Sequence, residues 1–299
     1  MSCPAPFRCG YAAIVGRPNV GKSTLLNAML GEKLSIVSPR PQTTRHRILG
    51  IRTDERGQIL FIDTPGLHPG RGRVINRLMN RTAAAALADA DVALFVIEAL
   101  RWTAEDAAVL ERLSQAKTLL VINKVDRVVP KAQLLPFLEE TAARGRFAEV
   151  VPVSALSGAN VELLPELILD RLPAGPALYA ADQITDKSMR FLAGEIIREK
   201  LTWRLRDELP YGIAVEVERY EEAAGGVLVA AVIWVERESQ KPIVIGRGGE
   251  LLKTIGRAAR LELKARIGRP VHVELRVKVK ENWANSERAL QELGYDPSR

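Results

Sequence analysis

The sequence predicts two domains of different class: an α/β domain with a mostly parallel six-stranded sheet and helices on both faces, then a smaller α+β domain. Three observations predict them. Residues 10–172 alternate short β-branched apolar runs with longer helical stretches, the pattern of a parallel sheet covered on both sides. The break Pro173-Ala174-Gly175-Pro176 ends that alternation. Beyond it the order becomes α-β-β-α-α-β, too strand-poor to extend the first sheet. The 299 residues suit two domains better than one. We place the boundaries at 1–175, a linker at 176–190, and 191–299 with a C-terminal helix.

In the first domain, apolar runs at 11–15, 48–52, 59–62, 92–97, 118–122 and 150–153 read as strands. Helical stretches lie at 22–30, 74–87, 104–113, 131–143 and 161–172. Asp54-Glu55-Arg56-Gly57 reads as a hairpin turn, so one strand should run antiparallel to the rest. In the second domain, a helix carrying Phe191, Leu192, Ile196, Ile197 and Leu201 leads to strands at 212–217 and 227–235. A helix pair separated by glycines follows, then a strictly alternating strand at 271–279 and a last helix at 285–293.

Composition narrows the classes. With 47% hydrophobic and 26% charged residues, the chain is not of disordered composition. No run of 18 uncharged apolar residues is present, so an integral membrane protein is not expected. The segment Met1-Ser2-Cys3-Pro4-Ala5-Pro6 lacks an apolar signal core, and a cytoplasmic location is expected. Cys3 and Cys9 suffice for neither a disulfide scaffold nor a zinc site. The formal charge is +7, yet residues 241–280 alone hold 11 basic and 3 acidic groups, while residues 173–240 are net acidic. A basic block of that density is the footprint of a phosphate-rich partner.

Gly16-Arg17-Pro18-Asn19-Val20-Gly21-Lys22-Ser23 fits the phosphate-loop pattern between a strand and a helix. Its glycines let backbone N–H groups face phosphate oxygens at a helix N-terminus; Val20 and Thr24 lie within this turn. Lys22 adds charge on the outer phosphates, and the Ser23 hydroxyl suits Mg²⁺. Asn123-Lys124-Val125-Asp126 ends an apolar run, where open α/β sheets bind ligands. The Asp126 carboxylate accepts from guanine N1–H and the exocyclic amine, two donors adenine lacks, so we read it as a buried acceptor selecting guanine. Asn123 ties loops together and contacts the base, and the Lys124 stem covers its face. Asp63-Thr64-Pro65-Gly66 ends another strand, with Asp63 reaching Mg²⁺ and the Gly66 N–H meeting the γ-phosphate. In the loop holding Thr43-Thr44, the Thr44 hydroxyl is the better candidate to complete the Mg²⁺ shell. Ser154-Ala155-Leu156 follows the last strand, and the Ala155 N–H can bond guanine O6.

These five signatures, in this order, resemble the Era-type group of bacterial P-loop GTPases (TrmE-Era-EngA-like). Leu67 follows Gly66 where Ras-like GTPases carry the glutamine that orients water, so hydrolysis must be slow or use another group. The resemblance implies an alternative: a K⁺ ion held beside the phosphates at Asn19.

In the second domain, Ile245-Gly246-Arg247-Gly248-Gly249 places a GxxG loop between two helices, followed by Lys253, Arg257 and Arg260 at helical spacing. In KH domains such a loop clamps a single-stranded RNA backbone. With the basic block and the element order, it reads as a type II KH domain. The resemblance extends over nearly the whole chain, including Pro41-Gln42-Thr43-Thr44-Arg45-His46-Arg47-Ile48, Pro210-Tyr211-Gly212, and Val277-Lys278-Val279-Lys280 with Trp283. It implies a GTPase switch that binds the 3′ end of 16S ribosomal RNA and assists small (30S) subunit assembly, with Lys278 and Lys280 also on RNA. It implies peripheral membrane association too; a monomer is expected. A GTP-dependent binding module, or a membrane-surface GTPase docking its basic domain on acidic protein or lipid, stays open as the alternative. His46, His68 and His272 share no metal spacing, and Trp203, Trp234 and Trp283 read as core or interface anchors.

Overall fold

Strand order β2-β3-β1-β4-β5-β6 organises the first unit of the computed structural model, which describes residues 6–38, 40, 43–66, 73–113, 117–205 and 209–295. In chain order its elements are β1 (Arg8–Val15), α1 (Lys22–Leu30), β2 (Ile48–Thr53), β3 (Gly57–Asp63), α2 (Val74–Ala88), β4 (Val92–Glu98), α3 (Ala104–Leu110), β5 (Thr118–Asn123), α4 (Leu134–Ala142), β6 (Glu149–Pro152) and α5 (Leu163–Leu169). β1, β3, β4, β5 and β6 pair in parallel; β2 alone runs antiparallel, against β3. The expected turn makes that pair: Asp54 N–H donates to Gly57 O at 2.9 Å, and Asp54 Oδ1 accepts from Arg56 N–H at 2.8 Å.

β3 and β5 are buried along their whole length, as parallel strands sandwiched between helices must be. Phe95 on β4 is fully buried, with its ring edge-on to Trp102 at 6.1 Å. Truncating so large a side chain costs about 3–5 kcal/mol. α3 begins with a reciprocal capping box, Thr103 N–H donating to Asp106 Oδ2 at 2.9 Å while Asp106 N–H donates to Thr103 Oγ1. α1 ends on Gly31 in the left-handed region at φ 70. All parallel strands thus deliver their C-terminal residues to one edge of the sheet, the edge where α/β folds bind ligands.

The chain divides after Asp186. The segment read as a linker at 176–190 splits there. Gly175 N–H donates to Phe7 O at 3.0 Å and Ile51 N–H to Ile184 O at 2.9 Å. The buried Gln58 carboxamide clamps the middle: Oε1 accepts from Leu178 and Tyr179 N–H at 2.8 and 3.0 Å, and Nε2 donates to Tyr179 O at 2.9 Å. Residues up to 185 therefore form part of the first unit. A proline- and alanine-rich stretch reads as loose because its partners lie far away in sequence.

The second unit contains α6 (Met189–Arg204), β7 (Ala214–Ala223), β8 (Gly226–Val235), α7 (Lys241–Ile245), α8 (Glu250–Ile267), β9 (Val271–Val279) and α9 (Glu287–Glu292). β8 is central, antiparallel to β7 and parallel to β9. Ile197, Val229, Ile233, Val244, Ile255, Leu263 and Val277 join one core between the sheet and α6, α7 and α8. Within α6, Glu195 and Arg198 bury their charges against each other at 2.7 Å. Trp283 is fully buried, as read, and its Nε1–H donates to Gly212 O at 3.1 Å. Trp203 is 56% exposed, which excludes the core and leaves the interface reading. Among the described residues no helix is long and apolar enough to cross a membrane.

Candidate nucleotide site and basic loop

The phosphate loop leaves β1 at Val15 and enters α1 at Lys22, wound by Gly16 at φ 151, Asn19 at φ 64 and Gly21 at φ 100. A side chain at Gly21 would place its Cβ 2.3 Å from Asn123 Nδ2, so glycine is needed there for space as well as conformation. Lys22 is buried and its Nζ donates to Gly16 O and Arg17 O, both at 3.0 Å. Burial pushes its pKa down to about 8, against the pull of the Asp63 carboxylate. The cleft at this loop is lined by Pro18, Asn19, Lys22, Ser23, Thr24, Arg40, Thr44 and Gly66, among others.

Three elements bring oxygen donors together beside Lys22. Ser23 Oγ donates to Asp63 Oδ2 at 2.9 Å, Thr44 Oγ1 does so at 3.2 Å, and the two hydroxyls lie 2.7 Å apart. Thr43 instead donates to Arg40 O at 2.7 Å, so Thr44 is the threonine that converges. Ser35, which sequence reasoning missed, also donates to Asp63 Oδ2, at 3.0 Å. Asp63 is wholly buried; burial raises its pKa, opposed by Lys22 and the three hydroxyls. Its Oδ1 has no hydrogen-bond partner among the described residues. A buried orphan carboxylate oxygen flanked by two hydroxyls is a hard, all-oxygen set that fits Mg²⁺. Pro41, Gln42, Leu67 and His68 lie outside the described residues.

At the other end of the cleft, Asn123 bridges two loops. Its Nδ2 donates to Val20 O at 2.8 Å, and its Oδ1 accepts from Ala155 N–H at 3.0 Å. The Ala155 N–H that the sequence assigned to guanine O6 therefore already holds Asn123. Asp126 Oδ1 accepts from Ser154 Oγ at 2.6 Å. Asp126 is exposed rather than buried, and Leu156 is 78% exposed. Lys124, at φ 65, sends Nζ to Glu98 Oε1 at 2.8 Å. Glu98 Oε2 accepts from Arg17 Nη2 at 3.1 Å, and Arg17 Nε donates to the buried Asp106 Oδ2 at 3.1 Å. The sequence reading passed over this network. Its one available signal was an acid closing an apolar strand, at the sheet edge that binds ligands.

In the second unit, α7 ends at Gly246 (φ 75), and Gly248 and Gly249 follow at φ 59 and 81 before α8 begins. A Cβ on Gly246 would lie 2.6 Å from Leu251 Cβ, while those on Gly248 and Gly249 would meet open space. The two later glycines thus keep the loop surface bare. Ile245 packs partly buried on the core, whereas Arg247, Lys253, Arg257 and Arg260 are exposed. Lys264 extends their stripe along α8. Lys278 and Lys280 do not join it. Val271, Val273, Leu275, Val277 and Val279 face the core, so alternation turns the two lysines to the opposite face of β9. There they pair with Glu218 and Glu292 at 3.1 and 2.7 Å and lie 5.7 and 5.6 Å from the Trp234 ring centroid. His272 is exposed on that face.

Comparison with known proteins matches both units. The family described as 50S ribosome-binding GTPase matches residues 11–124, and the KH domain family matches residues 208–284. GTPase Era of Pseudomonas aeruginosa is 51% identical over 294 residues, 98% of this chain and 96% of the relative. GTPase Era of Xanthomonas campestris pv. campestris is 51% identical over 298 residues, 99% of this chain and all of the relative. A crystal structure of Era in complex with MgGDPNP and nucleotides 1506–1542 of 16S ribosomal RNA superposes with a TM-score of 0.93 at 41% identity, covering 97% of this chain and 99% of that one. A point variant of Aquifex aeolicus Era bound to GDP·AlF4⁻ gives the same TM-score, identity and coverage.

Proposed function

The chain belongs to the Era family of GTPases, and on that premise we propose that it is a nucleotide-gated switch on ribosomal RNA. GTP at the phosphate loop orders the loops holding Thr44 and Asp63, and the glycine loop with its basic stripe then holds the 3′ end of 16S rRNA during small-subunit assembly in the cytoplasm. Hydrolysis lowers RNA affinity and releases the precursor. The observation that carries this reading is the pairing, in one chain, of a braced guanine-nucleotide site with an exposed, cation-lined GxxG loop. A relative crystallised with 16S rRNA supplies the RNA's identity.

In hydrolysis, Lys22 grips the phosphate oxygens and the backbone from Gly16 to Ser23 fixes their direction. Ser23, Thr44 and Asp63 would hold Mg²⁺, which when bound neutralises charge on the β- and γ-phosphates. Leu67 cannot hydrogen-bond water. Asn19, exposed in the cleft at φ 64, would instead flank a K⁺ ion that offsets developing charge. Hydrolysis equal in K⁺ and Na⁺ buffers removes that role. The switch is tested by titrating a labelled rRNA 3′-end oligonucleotide with a GTP analogue and with GDP. Tighter binding in the GTP state is expected, and equal binding in both states would reduce the chain to a nucleotide-indifferent RNA binder.

A further inference from the structure

Two loops that read opposite ends of one nucleotide are joined by ion pairs through a single carboxylate. Arg17 is the second residue of the phosphate loop, and Lys124 is the lysine of the loop assigned to the base. Glu98, closing β4, lies between them with one oxygen for each: Oε1 accepts from Lys124 Nζ at 2.8 Å and Oε2 from Arg17 Nη2 at 3.1 Å. Backbone pairing holds Glu98 in place, since it stands in register with Asn123 and Ala99 N–H donates to Asn123 O at 2.9 Å. Arg17 is fixed on its far side by Asp106, itself locked in the capping box of α3.

We propose that Glu98 is a positioning residue for guanine recognition: it pins the Lys124 side chain to the phosphate loop, so that base and phosphates meet one preassembled surface. The inference rests on reading residues 123–126 as the base loop. A free lysine side chain loses rotamer entropy when ordered, and a tether made in advance removes that loss from binding. The carboxylate is suited to this task. Burial pushes its pKa up, but the bonds to Lys124 and Arg17 outweigh burial and leave it below the usual range, so it stays charged. A neutral amide there would leave two cations facing each other, and Lys124 would swing away.

A double-mutant cycle tests this on the full chain, with fluorescent GDP and the native, E98Q, K124M and E98Q/K124M proteins. E98Q should weaken GDP binding about tenfold in the native background, mainly through faster dissociation, and less than about twofold in the K124M background. The nucleotide-free melting temperature should stay level across the four. Equal losses in both backgrounds, or no loss in either, overturns the proposal. If E98Q does not fold, Glu98→Asp keeps the charge and shortens the reach, and the same background dependence is required of it. Asp126→Asn separates the two readings, because the amide donates to xanthine where the carboxylate accepts from guanine. A swap of preference to xanthosine diphosphate with a silent E98Q ends only the Glu98 role; no swap removes the base-loop reading and this inference with it.

Discussion

The nucleotide site and the glycine loop both await phosphates, and they are built in opposite ways. In the first, side chains brace each other: Lys22 on two carbonyls, Asp63 under three hydroxyls, Asn123 engaged at both ends. In the second, Arg247, Lys253 and Arg257 stand exposed on a loop and helix whose glycines keep bulk away. A compact ligand with a fixed array of charges rewards groups oriented beforehand. A polymer rewards spaced charges, each meeting its own phosphate. Substitutions should therefore act cooperatively in the first region and multiply independently in the second.

The sharpest break is expected at Gly21→Ala. The added methyl meets Asn123 Nδ2 at 2.3 Å and demands φ 100 of an L-residue, disturbing both ends of the cleft at once. Guanine-nucleotide affinity, read by calorimetry, should fall about 100-fold. A loss under tenfold would mean that the bracing is soft.

On the other side of the comparison, Arg247→Asp with Gly248→Asp should weaken single-stranded RNA about tenfold or more. It should also flatten the salt dependence of log K by about 0.7 for each phosphate left without its cation. An unchanged salt slope would place the RNA elsewhere.

Proton linkage offers a third test. The Lys22 pKa is lowered to about 8, and bound phosphates must raise it, so nucleotide binding takes up a proton above that pH. The sign follows: GDP affinity is level below about pH 8 and falls by up to tenfold per pH unit above it. Lys22→Arg should remove the extra slope, leaving only what guanine's own titration contributes to both proteins. A slope identical in the two proteins would assign the titration to another group.

The smallest effects sharpen the map of the loop. Lys253→Ala and Arg257→Ala should each cost about threefold in RNA affinity and multiply when combined, whereas Lys278→Ala should cost less than twofold. A larger loss at Lys278 would bring the opposite face of β9 into the RNA site.

What could be read from the sequence depended on how local each feature is. The phosphate loop was legible because its glycines, lysine and serine act within one turn, at fixed spacing. The α-β-β-α-α-β order was legible because alternation marks each strand. Alternation also says that Lys278 and Val277 face opposite ways, but which face carries the helices is decided by packing, and packing separates Lys278 and Lys280 from the α8 stripe. The Arg17, Glu98 and Asp106 network joins the phosphate loop to the end of β4 and the start of α3, 81 and 89 residues further along the chain, and no spacing announces it. Exposure at Asp126 is not legible because the sequence reading places the carboxylate with a ligand bound, while the protein's own atoms alone leave it exposed. For Trp203 the sequence left core and interface open, and its exposure on one face of α6 removes only the core reading.

The order β7-β8-β9 leaves two outer strands, each hydrogen-bonded in the sheet along one side. Outer strands of plain valine and leucine invite a second chain to dock and start a fibril. β7 answers with a register shift between Val217 and Arg219 that bends it off a straight template, followed by charged Glu221 and Glu222. β9 answers with exposed Arg276 and Lys278, charged side chains that an incoming strand would have to desolvate. A lysine that falls outside the α8 stripe thus has a use of its own: on an outer strand it disfavours edge-to-edge pairing with a second copy.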